Sequence, residues 1–142
     1  MSPFRSTGVL RYSPTLNGSL ARRDGGTTKW WLILDCDPDL GRYFRHLFHV
    51  AAHRTQALQC PLWDAHVSVI ANEPPPPDKA NLWGRHEGQE LPIDVSLVAE
   101  TDGTYIWLPV TCEPALDIRE ELGLPRQPFL PLHLTIGNAK VE

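Results

Sequence analysis

Long hydrophobic runs are missing from this chain. The longest uninterrupted apolar stretch is WWLIL at 30–34, far short of the roughly 20 residues of a membrane-spanning helix and of a signal-peptide core. Cysteine is sparse. Cys36, Cys60 and Cys112 are odd in number, widely spaced and form no C-x-x-C or other ligand pattern, which argues against a disulfide framework or a zinc site and fits a reducing compartment. Free, buried thiols in a cytoplasmic protein are therefore expected. No glycine-rich segment has Walker or dinucleotide-motif spacing. Positive charge is also short, with 13 Lys and Arg against 17 Asp and Glu. Residues 1–29 carry Arg5, Arg11, Arg22, Arg23 and Lys29 against Asp24, a net +4, so the remainder is −8. A net-acidic chain with one basic arm lacks the many phosphate contacts on which binding to long nucleic acids depends. A small anionic ligand fits better, although the arm reads equally well as a solvated loop.

What is present is proline: 14 in 142 residues, about twice the usual ~5%, which stiffens connections. The length suits one compact domain over 1–142, with a core at 29–140 and a basic N-terminal arm at 1–28. VLRYSP at 9–14 can form a short strand, and the Gly-, Ser- and Arg-rich stretch after it reads as a loop. Residues 29–36 read as a strand buried on both faces, because their apolar residues run on instead of alternating. Asp37-Pro38 then starts a helix. Its apolar stripe is Leu40, Tyr43, Phe44, Leu47, Phe48 and Ala51, at helical spacing. On the opposite stripe His46, His49 and His53 have the spacing to chelate a metal, but with no Cys or carboxylate at ligand spacing a solvated face is preferred. NEPPPP at 72–77 predicts a rigid exposed spacer. Strands are expected near 91–99 and 104–111, joined by a hairpin at Thr101-Asp102-Gly103. Pro114 opens a short helix to Leu122, which Gly123 and Pro125 end.

Two strands carry the chemistry. AHVSVI at 65–70 and LHLTIGN at 132–138 each bear His-x-(Ser/Thr)-x. Alternation along a strand puts His66 beside Ser68, and His133 beside Thr135, on one face of each. Either histidine alone would more often be structural. The two recur, however, in equivalent settings: Cys36-Asp37-Pro38-Asp39-Leu40 and Cys112-Glu113-Pro114-Ala115-Leu116 share Cys-acid-Pro-x-Leu, and each follows a strand and opens a helix that feeds a histidine strand. The repeat predicts a bilobal, pseudo-symmetric α+β fold with central antiparallel sheets and flanking helices. Two imidazoles and two hydroxyls facing one cleft suffice to hold a phosphate and move protons on either side of it.

HVSVI and HLTIG resemble the paired His-x-(Ser/Thr)-x-hydrophobic motifs of the 2H phosphoesterase superfamily. Within it, NEPPPP, NLWGRHEGQ, IREELGL and HLTIGN are similar to the phage anti-CBASS phosphodiesterases. Only His66, Ser68, His133 and Thr135 transfer on motif grounds. The resemblance implies a metal-independent enzyme without a cofactor, cutting cyclic di- or trinucleotide immune signals in the cytoplasm of an infected bacterium. One histidine would take a proton from the 2′-hydroxyl as it attacks phosphorus, while the other protonates the departing 5′-oxygen. Tyr12, Lys29 and Trp83 are further candidates for substrate binding, with Trp83 read either as a base-stacking ring or as a plug holding its loop to the core. No long nucleic acid and no membrane partner is expected, and a homo-oligomer is compatible with the sequence. Two alternatives stay open: an RNA 2′,3′-cyclic phosphate phosphodiesterase or ligase, and a non-catalytic cyclic nucleotide sponge.

Overall fold

The computed structural model describes residues 4–15, 19–20, 26–37, 39–40, 42–43, 65–102 and 105–138. Seven strands form one sheet: β1 (Phe4–Tyr12), β2 (Leu32–Cys36), β3 (His66–Ile70), β4 (Glu90–Val95), β5 (Glu100–Thr101), β6 (Tyr105–Thr111) and β7 (His133–Asn138), with the helix α1 (Glu113–Glu121) between β6 and β7. The sheet order is β4-β1-β2-β3-β7-β6-β5, every pairing is antiparallel, and β4 also pairs with β6. That last pairing closes six strands into a barrel, with the two-residue β5 pairing farther along the edge of β6 that β4 also uses.

The expected bilobal α+β arrangement is thereby overturned. Two lobes would each need a sheet and core of their own. Instead the histidine strands β3 and β7 pair with each other, and one continuous cluster of buried side chains joins the strands to α1. Helix content among the described residues is also low. Among the described residues α1 is the one complete α-helix; Asp39, Leu40, Arg42 and Tyr43 are also helical. Asp37 Oδ1 accepts the Asp39 amide at 2.9 Å, so the start signal operates as expected. Leu40 is buried, whereas Tyr43, placed on the apolar stripe by periodicity, is exposed. Phe44, Leu47, Phe48, Ala51 and the three helix histidines lie outside the described residues, as does Cys60.

Each strand sorts its residues by alternation. Leu10, Leu34, Val67, Val69, Ile93, Val95, Ile106, Leu108 and Leu134 point inward and are buried, each stabilising by about 1.5–3 kcal/mol. Phe4–Tyr12, assigned by the sequence reading to an arm outside the core, lies between β2 and β4. Gly8 permits this close approach: a Cβ there would stand 2.9 Å from Leu34 Cβ. Cys36 and Cys112 are free and buried, and burial pushes the Cys36 thiol up to about 12.

At the C-terminus of α1, Gly123 takes φ +76° and its amide donates to the Glu120 carbonyl while Leu124 donates to that of Arg119. This is the glycine-terminated helix stop that the sequence predicts.

Candidate active site

Inward burial of Val67 and Val69 leaves His66 and Ser68 on the outer face of β3; burial of Leu134 likewise leaves His133 and Thr135 on the outer face of β7. Val67 pairs with Leu134. Continuing this antiparallel register by one residue either way sets Ser68 opposite His133 and His66 opposite Thr135. The four motif side chains thus tile one face, with cross-strand neighbours about 5 Å apart and the two histidines diagonal neighbours, a relation that spans roughly 7–8 Å in an antiparallel pair.

The tile belongs to a longer row. Asp35 on β2 pairs with His66, Thr135 pairs with Trp107 on β6, and Trp107 pairs with Glu100 on β5. Cross-strand partners share a face, so the outer surface reads Asp35, His66, Thr135, Trp107, Glu100 across five strands. The Trp107 indole meets the His133 imidazole edge-on at 6.1 Å between centroids. His133 Nδ1 lies 2.8 Å from the Pro131 carbonyl oxygen. A carbonyl only accepts, so Nδ1 carries the proton and Nε2 is the nitrogen left for chemistry.

Two cavities flank His133. One of about 430 Å³ is lined by Tyr105, Trp107, Leu130, His133 and Thr135, together with Glu100 and Asp102. The other, about 460 Å³, includes Ser68, Trp31, Glu73, Phe129 and again Leu130 and His133. Their shared wall is the segment between Pro128 and Pro131, where Phe129 is 98% and Leu130 62% exposed.

A buried cation fixes the second cavity. Arg119, with no exposed surface, donates from Nη1 to the Val69 carbonyl at 2.9 Å and to Glu73 Oε1 at 2.8 Å, from Nη2 to Glu73 Oε2 at 3.0 Å, and from Nε to the Pro125 carbonyl at 2.9 Å. Those bonds tie α1 to the strand residue after Ser68, to the proline-rich spacer and to the segment leading into β7. Hydrogen bonding from Arg119 holds the Glu73 carboxyl below the usual range, against the opposing effect of burial.

Tyr12, Lys29 and Trp83 gather elsewhere. Trp83 packs edge-on against Tyr12 at 5.2 Å and Trp30 at 5.0 Å, and its Nε1 donates to Ser13 Oγ at 3.0 Å. Lys29 Nζ sits 5.2 Å from the centroid of the Trp30 ring. Trp83 therefore plugs its loop onto the barrel. Neither Trp83 nor Lys29 lines the cavities beside His133. Tyr12 is nearly buried, and desolvation raises its phenol.

Trp107, Glu100 and Arg119 are not among the residues that the sequence motifs point to. Trp107 had a usable signal, since Tyr105, Trp107 and Pro109 alternate with the inward Ile106, Leu108 and Val110. Arg119 had none, because an arginine on a short helix normally faces water.

The fold and site define a closed antiparallel β-barrel with a histidine and hydroxyl tile on its outer face. Comparison with protein-family models, curated proteins and solved structures finds no match to this chain. Among the described residues no group of three or more His, Cys, Asp or Glu side chains is arranged to hold a metal ion, and no helix is long and apolar enough to cross a membrane.

Proposed function

We propose that this chain is a phosphodiesterase that cleaves 3′,5′ linkages of small cyclic oligoribonucleotides by metal-independent attack of the 2′-hydroxyl. The supporting observation is the β3–β7 register, which sets two imidazoles diagonally across two hydroxyls on one exposed face. A phosphate seated over this tile has an imidazole on either side. One takes the 2′-hydroxyl proton as that oxygen attacks phosphorus, and the other gives a proton to the departing 5′-oxygen. The new O–P bond closes a 2′,3′-cyclic phosphate as the P–O5′ bond breaks. Ser68 and Thr135 donate hydrogen bonds to the non-bridging oxygens as charge grows. His133 works through Nε2, since Nδ1 is engaged by Pro131. Asp35, the cross-strand partner of His66, lies within reach to orient that ring.

The biological setting we propose is removal of cyclic-oligonucleotide immune signals in a phage-infected bacterial cytoplasm. Product analysis on cyclic di- and trinucleotides, beside RNA with a 2′,3′-cyclic end, tests the reading. Linearised products from cyclic substrates, lost with His133→Ala, are expected. Turnover of the RNA ends alone would point to RNA processing, and intact nucleotide recovered after heating a tight complex would point to a sponge. A cyclic dinucleotide lacking the 2′-hydroxyl should resist cleavage.

A further inference from the structure

We propose that the cavity between β5, β6 and β7 is a nucleobase subsite that selects guanine, an assignment that rests on the phosphodiester reading of the adjacent tile. The register carries it. Trp107 is the direct cross-strand neighbour of Thr135 on one side and of Glu100 on the other. A nucleotide with its phosphate over His66 and Thr135 and its base directed along this row meets the indole first and a carboxylate last. The walls suit a flat ring: Trp107, Tyr105 and Leu130 contribute aromatic and apolar surface, and such surface holds any base by stacking.

Charge gives the subsite direction and preference. The anionic groups lining the cavity are Glu100 and Asp102; Glu100 pairs with Trp107, itself opposite Thr135, which sets this carboxylate two strands away from the histidine strand β7. They repel a phosphate there and leave it to the histidine end. Asp102 is fixed in the hairpin, its Oδ1 accepting the Tyr105 amide at 2.7 Å. Glu100 is exposed on the outer face. A carboxylate accepts and does not donate, so it favours a base edge rich in N–H groups. Guanine offers two adjacent donors, N1–H and the N2 amino group, to one carboxylate in a bidentate pair. Adenine and cytosine offer only an amino group beside ring acceptors, and uracil's single N–H lies between two carbonyls.

Titration of the full chain with GMP, AMP and UMP tests this without turnover, since none contains a 3′,5′ linkage. GMP should bind at least about tenfold more tightly than UMP or AMP, the margin of one good bidentate contact. Glu100→Gln, an exposed substitution that preserves the fold, should erase that margin and leave UMP affinity unchanged. Trp107→Ala should weaken all three by about tenfold or more through lost stacking. Equal affinities, or a GMP margin that survives Glu100→Gln, would overturn the subsite. Guanine selectivity without cleavage of any cyclic dinucleotide would keep the subsite and remove the phosphodiesterase reading. Cleavage with no base preference, unaffected by Glu100→Gln, would do the reverse.

Discussion

His133 is the residue on which the site converges: it lines both cavities, faces the Trp107 ring and is oriented by a backbone carbonyl two residues before it. The hydroxyls beside the two imidazoles have a separable role. Oriented donors stabilise charge that grows on phosphorus oxygens in the transition state and matter less to the bound ground state. Ser68→Ala and Thr135→Ala should each lower kcat by about 10²-fold while KM moves little, as steady-state kinetics on a cyclic dinucleotide would show. A change confined to KM would instead make the hydroxyls ground-state binding groups.

Among the elements, α1 supports the site without touching the proposed phosphate position. Arg119 holds the end of β3, the proline-rich spacer and the approach to β7 through four hydrogen bonds. Arg119→Met should cost about 3 kcal/mol, because it leaves buried carbonyls and Glu73 without their donor; chemical denaturation measures this directly. The Glu73 carboxyl in the folded state titrates below its ordinary 4.5. Its contribution to stability is therefore complete above that value and fades as pH falls through the lower folded-state value. Melting temperature followed downward in pH should fall more steeply for the native chain than for Glu73→Gln.

Elements with a local signature were legible in the sequence. His66–Ile70 and His133–Asn138 showed their alternation and α1 its proline start and glycine stop; the hairpin expected at Thr101-Asp102-Gly103 appears as the antiparallel β5–β6 pair, with Gly103 outside the described residues. β1 was legible only in its second half, where VLRY reads as a strand, because the first half, FRST, is mostly polar and exposed and its inward positions begin with Gly8. The site was half legible for the same reason: His-x-(Ser/Thr) is a local pattern, whereas the adjacency of Trp107 and Glu100 arises only from strand pairing.

At the scale of the whole molecule, the N-terminal strand β1 pairs with the sequence-distant β4, and the β4–β6 pairing then closes the barrel. The repeated Cys-acid-Pro-x-Leu plan suggested two lobes because it captured element order and carried no information on which strands would pair. Pairing β3 with β7 merges both halves into one core and brings both histidines to one surface. If β1 completes this barrel, deleting residues 1–12 should abolish cooperative unfolding by circular dichroism; a dispensable arm would leave the transition intact. The central claim, that His66 and His133 act together on one phosphate, is tested most directly by measuring cyclic dinucleotide cleavage rates for His66→Ala and His133→Ala beside the native chain, with folding checked by thermal melts. The account predicts a loss of at least about 10²-fold for each variant with the melt preserved. A folded variant of either kind that cleaves at the native rate would contradict it.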